Sequence, residues 1–230
     1  MSIIYQKSNI SITLEKNKSY NMLIQDFDKY KNYHNNILKI LKDYKYISVT
    51  SSEKNKEQAF IKFESSDVIP LKELLKSKQN QLGYKQSETL FISLSNQTMN
   101  LEKDMVSNLF FSIDDIVVIN SSSAVPIFLY LNTQFFSPIE DNFVEISSPF
   151  MKNKLFISPE LKELKDIPSK IHFKSTYYSI GLLICFCINR EDFKTKDLEQ
   201  AIGVILHTKL YFALKRCFEF KPSDRFLLYI

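Results

Sequence analysis

Ile157-Ser158-Pro159-Glu160, then Tyr178-Ser179-Ile180-Gly181-Leu182-Leu183-Ile184, then Leu214-Lys215-Arg216-Cys217-Phe218-Glu219-Phe220-Lys221-Pro222-Ser223-Asp224-Arg225 decide the fold. The middle stretch lies within residues 177–188, an apolar run with no polar face. A helix apolar all round is buried all round, so this run is expected to be the centre of a core.

Around it, the 230 residues are 44% hydrophobic and 24% charged, an ordinary globular balance with chain enough for one large domain or two closely packed lobes. The net charge is +4, but acids and bases are interspersed, without the concentrated field that a phosphate backbone demands. Nucleic acid is therefore an unlikely partner. The first residues lack a signal-peptide pattern, and no apolar run reaches the roughly 18–20 residues of a membrane span, so a soluble intracellular protein is expected. Cys185, Cys187 and Cys217 are an odd number with no C-x-x-C pair, which suggests neither a disulfide framework nor a zinc site. Residues two apart on a helix point about 200° apart, so Cys185 and Cys187 cannot share a metal and are expected to be buried and inert. His34, His172 and His207 are widely separated with no acid or nucleophile at triad spacing.

Along the chain, residues 9–14 and 19–25 read as strands joined by the polar turn 15–18. Phe27, Tyr30, Ile37, Leu38 and Leu41 recur at helical spacing, predicting one amphipathic helix over 26–44 capped by Asp26. Strands at 46–50 and 58–63 follow, then a short helix started by Pro70 and a longer one over 86–101. Residues 113–120 and 125–131 read as a hairpin, and 132–156 show no clear period.

In order and approximate spacing, Ser158-Pro159-Glu160, Tyr178-Ser179-Ile180-Gly181 and Pro222-Ser223-Asp224-Arg225 resemble the large lobe of a protein kinase: the Ala-Pro-Glu end of the activation segment, the Ser-x-Gly entrance to the central helix, and the late Pro-x-x-Arg element. The resemblance implies an α+β, bilobal protein kinase-like fold. A small β-rich lobe would occupy 1–65, with its first strand and Gly-rich loop absent or vestigial, and a mainly helical large lobe 66–230. It also implies a structural ion pair between Glu160 and Arg225, in which a guanidinium fork ties the end of a long loop to a distant element. Asp-Asp-Ile at 114–116, Ser-Pro-Glu-Leu at 158–161, Tyr-Ser-x-Gly at 178–181 and the ending 225–230 are similar, more specifically, to degenerate kinase-like proteins of large nucleocytoplasmic DNA viruses.

The catalytic motifs depart from the family. Matching 116–119 to the strand after His-Arg-Asp-x-Lys-x-x-Asn puts Phe110 at the catalytic base, Ser112 at the phosphate lysine and Asp115 at the metal-binding asparagine. Asn132 stands nearest the Asp-Phe-Gly aspartate, and Thr176 replaces the aspartate that holds the catalytic-loop backbone. No glycine precedes Gly83, the strand at 19–25 carries no internal lysine, and 27–41 carries no glutamate.

The resemblance thus implies a pseudokinase: no catalytic residues, no cofactor, weak or absent ATP binding, and a protein partner met as scaffold or decoy. Its expected place is the cytoplasm, of the host if viral, with virion association open. Two alternatives stand beside it. An atypical active kinase would hold metal through Asp114 and Asp115, or through Glu140 and Asp141. A structural or nucleic-acid-associated factor would use the lysines and aromatics of 28–34.

Overall fold

The computed structural model describes residues 2–44, 47–55, 57–152, 155–189 and 197–229. It is an α+β protein with four antiparallel sheets and seven α-helices among the described residues. The chain forms two compact units, one of Met1–Leu74 with Asp114–Gln134, the other of Leu75–Ile113 with Phe135–Ile230. The expected division at 65 and 66 is thereby corrected. Residues 114–134 join the N-terminal unit because their hairpin pairs with a strand at Val68–Pro70.

The N-terminal unit holds a five-stranded antiparallel sheet of β1 (Ser2–Lys7), β2 (Ile10–Leu14), β3 (Ser19–Gln25), β4 (Val49–Asn55) and β5 (Gln58–Glu64), in the order β1-β2-β3-β5-β4. Alternation along the strands buries one face: Ile10 and Ile12, Tyr20, Met22 and Ile24, and Ala59, Ile61 and Phe63. The β2–β3 turn places Asn17 and Lys18 at φ of 57° and 61°. Asparagine tolerates that left-handed geometry well.

The first strand, expected to be absent or vestigial, is present as β1. It buries only Tyr5, and a register shift between Ile3 and Tyr5 breaks the alternation that would reveal it. Such a bulge is common on an edge strand.

Helix α1 (Lys31–Asp43) buries Tyr33, His34, Ile37 and Leu41, but it starts five residues later than expected. Asp26 has φ 53°, and its carbonyl accepts from the amides of Lys29 and Tyr30 in a turn, so it does not cap the helix. The strand expected from 46 is β4, displaced toward the charged run; Tyr46 lies outside the described residues.

A second sheet of the same unit pairs β6 (Val68–Pro70), β8 (Ile116–Ile119) and β9 (Ile127–Tyr130) in the order β6-β8-β9. Every residue of β8 and β9 is buried. Their connecting loop is held by Asp67, whose Oδ1 accepts from Ser121 N at 2.7 Å, and by Asn120, whose Oδ1 accepts from Ser65 Oγ at 2.7 Å and Ser66 N at 2.9 Å. Helix α2 (Leu71–Ser77) follows Pro70 directly.

The C-terminal unit is built on α3 (Tyr84–Lys103) and α5 (Ser175–Asn189), with α4 (Pro159–Glu163), α6 (Leu198–Gly203) and α7 (Lys209–Cys217). Two strand pairs complete it: β7 (Val106–Asn108) with β10 (Phe136–Pro138), and β11 (Phe143–Ile146) with β12 (Ser169–His172). As its sequence demands, α5 is buried on all sides, with only Tyr178 and Phe186 partly exposed. At Gly181 a Cβ would lie 2.7 Å from Phe218 Cε1 and 3.3 Å from Cys217 Cβ, so the residue after α7 packs directly on the α5 backbone.

Helices α3 and α5 also meet through a polar contact, Tyr177 Oη donating to Glu102 Oε2 at 2.8 Å. Burial pushes the Glu102 carboxyl up from 4.5 to about 7, with the Tyr177 hydrogen bond and Lys174 acting against it. An acid raised in the folded state costs nothing while folded and unfolded chains both keep the proton. Its cost grows as pH climbs through this window and is complete above it. Glu102→Gln keeps an acceptor for Tyr177, and is expected to gain about 1–2 kcal/mol in mildly alkaline buffer, after discount for partial exposure, and nothing in acid. Urea melts at both pH values check this; an equal gain at both would refute it.

Candidate functional site

The N-terminal unit concentrates its buried polar chemistry at Asp115. A 3-10 turn, Ile113–Asp115, delivers this residue to the start of β8, and Leu131 N donates to its carbonyl at 2.8 Å as β9 ends. Asp115 has no exposed surface. Its Oδ1 forms an ion pair with Lys7 Nζ, at the end of β1 just before the β1–β2 turn. Ser8 in that turn sits at φ 50° and donates from Oγ to Asn132 Oδ1 at 3.0 Å, an oxygen that also accepts from Gln134 N at 3.0 Å. Asn9 Oδ1 accepts from Thr133 Oγ1. Thus Lys7, Ser8 and Asn9 each engage a residue of the 115–133 segment.

The wall behind this cluster is aromatic. Tyr5 donates to Leu131 O at 3.1 Å and the buried Tyr33 to Tyr130 O. Burial raises both phenols above their ordinary range, with the Asp115 charge adding to it. Burial also raises the Asp115 carboxyl, although Lys7 and the neighbouring Asn132 amide favour its charged form. Neither Asp115 Oδ2 nor Asn132 Nδ2 closes a well-formed hydrogen bond. A pocket of about 500 Å3 opens beside the turn, lined by Lys7, Ser8, Asn9, Gln25, Asp26, Tyr30, Thr133 and Gln134. Asp114 lies outside this cluster, exposed and paired with Lys72 at 3.1 Å.

In the C-terminal unit, Phe110 is part of an apolar cluster with Leu109, Ile139, Val144, Ile146, Ile157, Leu161 and Ile171. Its ring lies 4.9 Å from that of Phe135 and 4.5 Å from that of Phe150. Ser112 is also buried. The backbone just before Phe110 is held by hydroxyls of α5. Thr176 Oγ1 donates to Asn108 O at 3.1 Å and lies 2.9 Å from Ser107 Oγ, while Ser179 Oγ donates to Leu109 O at 3.0 Å. Both hydroxyls donate to backbone carbonyls, contacts that an ionised carboxylate, an acceptor only, could not make.

Glu160 and Arg225, sixty-five residues apart, are brought together: Nη2 to Oε1 at 2.5 Å and Nη1 to Oε2 at 3.4 Å. Arg225 is almost wholly buried, and gives two further donors to Glu219 O at 2.8 Å and Phe220 O at 3.2 Å. Its guanidinium carbon stands 5.0 Å over the Tyr178 ring. Burial opposes ionisation of Glu160, but the guanidinium prevails and holds its carboxyl below the ordinary range.

Other sequence candidates do not gather. Glu140 and Asp141 belong to a tight turn closed by the Glu140–Phe143 bridge, with Asp141 at φ 50°. Lys29 lies 5.1 Å over its neighbour Tyr30. The three thiols are buried, that of Cys185 pushed up to about 12. Among the described residues no group of three or more His, Cys, Asp and Glu side chains is placed to hold a metal ion. Nor is any described helix long and apolar enough to cross a membrane.

The residues that sequence reasoning missed are Lys7 and Ser8. Their signal was the strand β1 itself, which carries Lys7 at its end and leads into the turn of Ser8 and Asn9. Comparisons with protein-family models and with curated protein sequences return no match for the chain.

Proposed function

We propose that this chain is a catalytically inactive protein kinase-like protein that acts through its surfaces, as a scaffold or decoy for a protein partner. The observation that carries the reading is Phe110. The position expected to hold the catalytic base is a phenyl ring embedded among Phe135, Phe150 and aliphatic neighbours, and such a ring neither orients nor deprotonates a hydroxyl.

Three features support the kinase-like part of the reading. The N-terminal unit runs strand-strand-strand-helix-strand-strand, the order the resemblance implies once β1 is counted. A buried apolar helix of the C-terminal unit, α5, carries the Ser-x-Gly segment in its N-terminal half. Glu160 and Arg225 meet as the resemblance requires.

The loss of activity is expected to be complete, since the interactions enzymes gather at a transition state amount to at least about 8 kcal/mol and here several are missing together. Incubation with radiolabelled ATP and Mg2+ or Mn2+ should transfer no label to the chain or to a generic acceptor protein. Label that survives purification and disappears in Asp115→Ala would overturn the reading and favour the atypical enzyme. Affinity capture should return the same protein partner with and without nucleotide.

A further inference from the structure

We propose that Lys7 Nζ is the resident cation of the Asp115 site: it fills the place at the buried carboxylate that a divalent ion would take, and the segment Lys7-Ser8-Asn9 is the latch that keeps it there. The inference deepens the inactive-kinase reading, on which Asp115 and Asn132 stand at metal-ligand positions.

A carboxylate without solvent exposure needs a partner charge, because the desolvation of an isolated ion is far costlier than its pairing. Lys7 supplies that charge at Oδ1. Two other oxygens in this cluster suit a hard cation: Asp115 Oδ2, which closes no well-formed hydrogen bond, and Asn132 Oδ1, which already accepts from Ser8 Oγ at 3.0 Å and Gln134 N at 3.0 Å. Magnesium demands near-octahedral oxygen ligation at about 2.0–2.1 Å and gives up its waters reluctantly. With Asp115 Oδ1 and Asn132 Oδ1 engaged, Asp115 Oδ2 left as a single open oxygen and an ammonium already against that carboxylate, the residues present do not fit the metal that a kinase-like fold implies. The third contact, Thr133 Oγ1 to Asn9 Oδ1, extends the latch to the end of the turn. The contacts of residues 7 and 8 therefore occupy one carboxylate oxygen of Asp115 and the amide oxygen of Asn132, and they do so from one short piece of chain.

The full chain is titrated with Mn2+ near neutral pH, following free Mn2+ by electron paramagnetic resonance and stability by thermal melting, without nucleotide. Wild type and Lys7→Arg should take up no Mn2+ at millimolar concentration. Lys7→Met should take up one equivalent and melt higher in its presence, and Lys7→Met with Asp115→Asn should again take up none. A wild-type Mn2+ site abolished by Asp115→Asn would overturn the proposal, as would a folded Lys7→Met that binds none.

Should Lys7→Met not fold, lysine acetylation read by mass spectrometry still decides. Release of the pair in Asp115→Asn is expected to speed modification of Lys7 roughly tenfold over wild type, the scale of a charge-assisted hydrogen bond. Equal rates would mean that the latch does not hold in solution. Neither readout involves ATP, so a chain that binds Mg·ATP overturns the inactive-kinase reading, whereas these results judge Lys7 alone.

Discussion

Replacing Arg225 with methionine is expected to cost about 3–5 kcal/mol, because it leaves a half-buried carboxylate without its counter-charge. The loss is compound: Glu160 loses both guanidinium bonds, and the carbonyls of Glu219 and Phe220 lose their donors. The segment that follows α7 is thereby detached from the start of α4. Removing the stranded charge as well, in Arg225→Met with Glu160→Gln, should recover part of the loss, since the cost of a broken buried pair lies largely in the ion left behind.

The pair also fixes a pH dependence. A carboxyl held below its ordinary range in the folded state contributes stability that is present above the unfolded pKa and is lost as pH falls through the folded one. Wild type should therefore lose this increment on acidification, and Arg225→Met should lack it. Urea midpoints across acid pH measure both. An Arg225→Met chain as stable as wild type would contradict the structural role assigned to the pair.

Phe110→Asp, which places a carboxylate where a kinase base is expected, should unfold or nearly unfold the C-terminal unit and restore no phosphotransfer. Truncating a buried phenyl ring costs about 3–5 kcal/mol through lost burial and the cavity left behind. The new carboxyl must then be buried against Phe135 and Phe150 or taken up protonated, which adds to the cost. Phe110→Leu keeps an apolar side chain and should cost less, about 1.5 kcal/mol. Circular dichroism melts of the two variants separate these outcomes. A well-folded Phe110→Asp would mean that this position is a site and not core.

The parts of the fold that could be read from sequence are those in which one residue pattern has one physical solution. The run at 177–188 could only be a buried helix, and it is one. Glu160 and Arg225 were legible through the order of three motifs, although nothing local to either residue announces the other. What escaped depends on backbone geometry or on distant partners. Asp26 has the chemistry of a helix cap, yet its positive φ commits it to a turn and the helix begins at Lys31. Strand β11 buries Val144 and Ile146 in alternation, but Phe143 faces outward and masks the period. Strand β1 hides behind a bulge, and with it Lys7, whose partner Asp115 lies 108 residues away. A lysine at a strand end has no sequence mark that separates a solvated side chain from one reaching a buried carboxylate.

The same limits explain the division of the chain. By position, residues 114–134 fall well inside the second lobe expected over 66–230. Backbone pairing with β6 instead assigns them to the N-terminal unit.

The account stands on the claim that no nucleotide-dependent chemistry survives here, and calorimetric titration of the full chain with Mg·ATP tests that claim most directly. A ligand at 100 times its dissociation constant would stabilise the fold by about 2.7 kcal/mol, so a thermal melt in the same solutions reports independently on any binding. The account predicts no saturable heat and no shift of the melt. Saturable one-to-one binding that raises the melting temperature and is lost in Asp115→Asn would contradict it.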